Sequence, residues 1–252
     1  MLSNRIMRSI RADLRASVDL KAKESFQKFF KEKIRFYGVR TAAVRRLAKK
    51  YWKELSRLDK KTIFTLCEEL LASDYTEEAF IVSFWLPMYV KSFENSDLEI
   101  FERWIYTYIN NWAKCDGFCN HTVGDFIEKF PESIARMLVW AESKNRWLRR
   151  ASAVSLIVPA KKGKHLETVL AIADLLIRDN DDIVQKGYGW LLKEASRKHL
   201  QEVFQYVMKH KAVMPRTALR YAVELMPHSM RMRAMKTEKT VETQSTDRKD
   251  FS

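Results

Sequence analysis

The chain has 252 residues, enough for one large domain or two small ones, with only 6 Gly and 5 Pro. A sandwich, barrel or doubly wound sheet of this size spends more of both on turns and phosphate loops, so an all-α fold is expected, and 46% hydrophobic residues exclude disorder for most of the chain. The net charge of +14 is clustered: residues 1–61 carry +13, 62–143 carry −9 and 144–252 carry +10. Basic arms around an acidic middle favour a polyanionic partner, nucleic acid ahead of an anionic membrane surface.

Apolar spacing predicts helices almost throughout. Residues 1–18 hold the stripe Ile6, Ile10, Leu14 and Val18 among Arg5, Arg8, Arg11 and Arg15, which a packed first helix explains better than a transit peptide. The next stripe is Val44, Leu47, Ala48, Tyr51 and Leu55, with Thr41 as expected N-cap. Asp59 precedes Ile63–Leu71, and Asp97, the next expected cap, precedes Phe101–Ile109. Pro131 precedes Ile134–Ala141, the loop 161–164 precedes Leu166–Ile177, Asp181 precedes Val184–Ala195, and Pro215 precedes Ala218–Leu225. About a dozen helices of 10–18 residues are expected. Asp59 and Asp97 are 38 residues apart, while Trp112, Trp147 and Trp190 are spaced by 35 and 43. Such intervals fit degenerate helix-pair repeats, hence an α-solenoid with a concave face. The pattern ends near Met230, so residues 1–230 are read as one domain and 231–252 as a polar, mobile tail.

Several chemistries are set aside on spacing. Cys115, Cys119 and His121 form C-x3-C-x-H, which is no zinc pattern, and Thr122 stands where a radical-chemistry motif needs a third Cys. With Cys67 they read as core thiols of a reduced compartment. Gly187 and Gly189 lack the strand and third glycine of a phosphate loop. Neither cofactor nor metal is expected. No apolar run approaches a membrane span, so a cytoplasmic, nucleoid-associated monomer is expected. What remains is tryptophan beside charge: Trp112 with Asp116, Trp147 with Arg150, and Trp190 with Lys186, each pair three or four residues apart and so sharing a helix face.

The segments NNWAKCDGFCNHTVGDF (110–126), NRWLRRASAV (145–154) and VQKGYGWLLKEAS (184–196) resemble the HEAT-like-repeat alkylpurine DNA glycosylases of the AlkC/AlkD superfamily, closest to the AlkD type. FFKEKIRFYGVRTAAVRRLAKKYW (29–52) is similar to that family's N-terminal helix-turn-helix, and the likeness runs in order from about residue 20 to 226. By this resemblance Trp112 and Trp190 wall the lesion and its deoxyribose, Asp116 is the carboxylate at the sugar, and Arg150, Arg45 and Thr41 hold phosphates, with Lys186 beside them. Phe29 stands where the family commonly has Tyr, so only an aromatic wall carries over. Asn111 replaces a second Trp. The resemblance also implies that the lesion stays in the duplex while the protein grips the backbone.

The chemistry holds together without the family name. A purine alkylated at N3 or N7 is cationic and already a good leaving group, so no general acid is needed. An ionised Asp116 would stabilise the oxocarbenium-like sugar and orient water. The expected function is therefore a monofunctional glycosylase releasing 3-methyladenine and 7-methylguanine from double-stranded DNA during base excision repair. A catalytically silent DNA-structure binder and a scaffold for acidic proteins stand as alternatives.

Overall fold

The computed structural model describes residues 2–236 and is helical from end to end. In chain order the helices are α1 (Leu2–Ala16), α2 (Leu20–Phe26), α3 (Thr41–Leu55), α4 (Lys60–Ala72), α5 (Thr76–Tyr89), α6 (Asp97–Tyr108), α7 (Trp112–Phe118) and α8 (Gly124–Lys129). The second half continues with α9 (Ala135–Ala141), α10 (Arg146–Val154), α11 (Ile157–Lys161), α12 (Leu166–Leu176), α13 (Asp182–Ala195), α14 (Leu200–His210), α15 (Arg216–Ala222) and α16 (His228–Met235). That is more and shorter helices than periodicity predicts. A π-helical turn, Cys119–Val123, separates α7 from α8, and a 3-10 turn, Pro131–Ile134, leads into α9.

The helices form two layers. One row runs α3, α5, α7, α10, α13, α15, each packed on the next. Behind it, α1, α4, α6, α9, α12 and α14 each pack on a member of that row. This is an α-solenoid of degenerate helix pairs. The stripe of α1 is buried as expected, with Ile6, Ile10 and Leu14 at most 2% exposed, and the interior is dominated by Trp85, Trp104, Trp140 and several Phe. The row closes most tightly at Gly189, where a Cβ would lie 2.7 Å from the Ala218 carbonyl oxygen and 2.8 Å from Tyr221 Cβ. This pair of glycines serves helix packing: Gly187 lies against Arg150, and Gly189 lets α15 sit directly on α13.

Asp59 and Asp181 cap their helices as expected, accepting from the backbone N–H of Thr62 and Ile183. Two expected caps are displaced by one residue. Arg40, in extended conformation, flanks α3 while Thr41 is already helical, and Ser96 flanks α6. Asp97 instead turns its carboxylate back to the Glu94 N–H at 2.8 Å. The boundary at residue 230 is also corrected. It falls inside α16, whose Ala234 is buried and whose Met235 carbonyl accepts from Arg216 at 3.1 Å. That helix shows almost no amphipathic stripe, so its packing left little trace in the sequence. The rest of the expected tail, from 237 onward, lies outside the described residues.

Candidate functional site on the helical row

All the helix-borne candidates fall on one row of helices: Thr41 and Arg45 on α3, Trp112 and Asp116 on α7, Arg150 on α10, Lys186 and Trp190 on α13. Phe29 ends the 3-10 turn Gln27–Phe29. Two cavities of about 500 and 450 Å³ open along this row, and Phe29, Trp112 and Asp116 line both. The first also takes in Thr41, Arg45, Phe84 and Asn120; the second takes in Arg150, Lys186, Trp190 and Tyr221. Asp116 thus stands at the seam between an aromatic chamber and a charged one.

Asp116 is held rigidly. Arg150 Nε and Nη2 donate to its two carboxylate oxygens at 2.8 Å each, a bidentate pair, and Arg150 Nη1 donates to the Ile183 carbonyl of α13. Arg150 is 5% exposed. Burial disfavours its charge, but the adjacent Asp116 carboxylate outweighs that and raises the guanidinium pKa above the ordinary arginine value. A surface phosphate clamp, which the resemblance implies, would stand free. This arginine is instead committed to aiming a carboxylate, which keeps unused lone pairs toward the cavities.

Trp112 is fixed from three sides. Asn111, fully buried, caps α7 by accepting from the Lys114 N–H at 3.0 Å, a role a second Trp could not fill. The Trp112 ring stacks on Phe30 at 5.1 Å, and its Nε1 donates to the Phe29 carbonyl at 3.3 Å. The strap carrying Phe29 is itself anchored across the row: Lys31 pairs with Asp182 at 2.6 Å, and Glu32 with Arg146 at 3.5 Å. Phe29 is left 68% exposed at the rim. Lys186 pairs with Asp182 one turn earlier, at 3.3 Å. Arg45 is exposed, its guanidinium 4.8 Å from the Phe84 ring centre.

Trp147 does not join the site. It is 7% exposed, covered by the Arg146 guanidinium, so only two of the three tryptophan–charge pairs meet at the cavities. All three cysteines are buried, as core thiols should be, and burial pushes the Cys67 and Cys115 thiols far up. Sequence reading missed Glu77, 1% exposed on α5, whose carboxylate accepts the backbone N–H groups of Tyr37, Gly38 and Val39 at 2.8–3.0 Å. It pins the loop from which Thr41 and Arg45 rise. Only an acidic pair, Glu77 and Glu78, at the start of α5 hinted at it.

A family model described as "DNA alkylation repair enzyme" matches residues 10–226. Solved structures that are similar include the following three. A predicted DNA alkylation repair enzyme from Enterococcus faecalis gives a TM-score of 0.75 at 15% identity, covering 84% of this chain and 98% of that one. The smu.31 protein of Streptococcus mutans UA159 gives 0.56 at 21% identity, covering 74% and 99%. The Pseudomonas fluorescens alkylpurine DNA glycosylase AlkC, bound to DNA containing an abasic site analog, gives 0.47 at 17%, covering 87% and 62%. No curated protein matches the chain.

Proposed function

Because the chain belongs to the DNA alkylation repair enzyme family, we propose that it is a monofunctional, AlkD-type DNA glycosylase that hydrolyses the N-glycosidic bond of cationic N3- and N7-alkylated purines in double-stranded DNA. The observation that carries this reading is the Arg150-braced Asp116 at the seam of the two cavities, with Trp112 and Trp190 on the walls. A cationic purine departs without protonation, so the protein's task is to stabilise the sugar cation left behind.

Asp116 does this electrostatically, and its fixed orientation means no reorganisation as charge develops. Bidentate pairing spreads part of its charge onto Arg150, but the free lone pairs still face the sugar and a water that attacks C1′. Indole faces favour the cationic base and sugar by roughly 0.5–2 kcal/mol per good contact. Thr41, Arg45 and Lys186 border the cavities where the flanking phosphates would run, and the +14 charge supplies long-range attraction to DNA. Arg150 is assigned here to positioning the carboxylate, with its remaining N–H capacity at the cavity edge. Among the described residues no helix is long and apolar enough to cross a membrane. The work belongs in the cytoplasm at the nucleoid, as the first step of base excision repair.

Incubation with methylated duplex DNA, followed by chromatography of the released bases, tests the proposal. Release of 3-methyladenine and 7-methylguanine, with uracil and hypoxanthine left in place, is the expected result. Tight DNA binding with no base released would instead identify a silent structure binder.

A further inference from the structure

The charged cavity holds no surplus cation for a backbone phosphate. Lys31 and Lys186 share the Asp182 carboxylate at 2.6 and 3.3 Å, Arg150 is committed to Asp116, and Glu32 completes the charged lining. With Asp182 counted, three cations face three carboxylates. A phosphodiester lying across this cavity needs a cation from beyond it. Tyr221 brings α15 into the lining, and because Gly189 lets α15 lie directly on α13, that helix continues the row immediately beyond Trp190. On α15, Ala218, Leu219 and Ala222 are buried, which leaves Arg216, Thr217, Arg220 and Tyr221 along the outward face, none of them acidic. Arg216 donates to the Met235 carbonyl. Arg220 is exposed, and neither its guanidinium nor the Tyr221 hydroxyl has a partner among the described residues. Residues 209–236 around them hold seven Lys/Arg and one acid, Glu224, which Lys193 already pairs at 3.2 Å.

We propose that α15 is a phosphate grip for duplex DNA, in which Arg220 pairs with one backbone phosphate beyond the lesion and the Tyr221 hydroxyl donates to the same phosphodiester. A free guanidinium offers parallel N–H donors to two phosphate oxygens, and the phenol adds a further donor from the cavity side. Neither group reads a base, so the grip sets where the duplex lies along the row and not which base stands at Asp116. The inference rests on the proposed duplex ligand but not on the assignment of catalysis to Asp116.

Anisotropy titrations of the intact protein with a short duplex, carrying one abasic-site analogue to fix its register, test the grip. Arg220→Ala should weaken binding about tenfold and lower the log–log salt slope by about 0.9. Tyr221→Phe keeps the ring and removes no charge, so it should weaken binding about fivefold with the slope unchanged. Lys209→Ala, an equal loss of exposed charge on α14 behind the row, should leave affinity and slope at wild-type values. Replacing single phosphates by neutral methylphosphonates should then find one position whose loss weakens the wild type about tenfold and Arg220→Ala not at all. Wild-type affinity in both α15 variants, equal effects of Arg220→Ala and Lys209→Ala, or no phosphate coupled to Arg220 overturns the inference. The expected couplings with no base released from methylated duplex would overturn the glycosylase function and leave the grip standing; a wild-type protein that binds no duplex overturns both.

Discussion

Removing Arg150 should lower the stability of the fold and not merely weaken a phosphate contact. Arg150→Met deletes two 2.8 Å bonds to Asp116 and one to the Ile183 carbonyl, in a side chain that is 6% exposed. Breaking a buried pair costs about 3–5 kcal/mol because one charge is left uncompensated. The Asp116 side chain retains 16% exposure, so water relieves part of that and the lower end applies, about 3 kcal/mol. At about 2–4 °C per kcal/mol for a domain near this size, the melting temperature should fall by about 6–12 °C. Asp116→Asn should be destabilising too, since it leaves the deeper guanidinium facing a neutral amide. The double variant should be less destabilised than the sum, with an interaction energy of about 2 kcal/mol. Calorimetric melts of the four proteins close the cycle. Additive effects, or an Arg150→Met protein melting within a degree or two of wild type, would refute the brace and return Arg150 to the phosphate backbone.

Three further outcomes follow from the same geometry. Duplex affinity should fall steeply with salt, and Arg45→Ala should lower the log–log slope by about 0.9 while weakening damaged and undamaged DNA alike; a filter-binding series across salt concentrations measures this. Truncation after Met230 should lower the melting temperature by several degrees, because it removes buried Ala234 and the Met235 carbonyl that Arg216 holds. Hydrogen bonding from Arg103 depresses the Glu68 pKa to about 2, so this group's stabilisation is present above its ordinary pKa of 4.5 and is lost as pH falls toward 2. Glu68→Gln should therefore flatten the acid limb of the stability curve between those values in denaturant titrations.

Helix content, the solenoid class and the row of site residues were legible because they rest on local spacing. A four-residue interval puts Trp112 and Asp116 on one face, and capping residues mark α4 and α13. Contacts made at long range were not legible. That Arg150 points at Asp116 depends on how α10 crosses α7, and that Trp147 turns inward depends on the cover of Arg146. Glu77 reaches back 38–40 residues to its loop, and the strap reaches forward 151 residues from Lys31 to Asp182. No window of sequence reports such pairings. The end of α16 was missed for a different reason: a helix stabilised by its neighbours and one backbone acceptor shows little stripe to read.

Single-turnover excision by Asp116→Asn tests the central claim most directly. The assay holds methylated duplex below saturating enzyme at a temperature where circular dichroism shows the variant folded, and follows release of 7-methylguanine. If the carboxylate stabilises the sugar cation, duplex binding persists while excision falls by roughly 10²–10³-fold, the scale of losing one preorganised electrostatic group. A folded Asp116→Asn protein that releases 7-methylguanine at the wild-type rate would contradict the account.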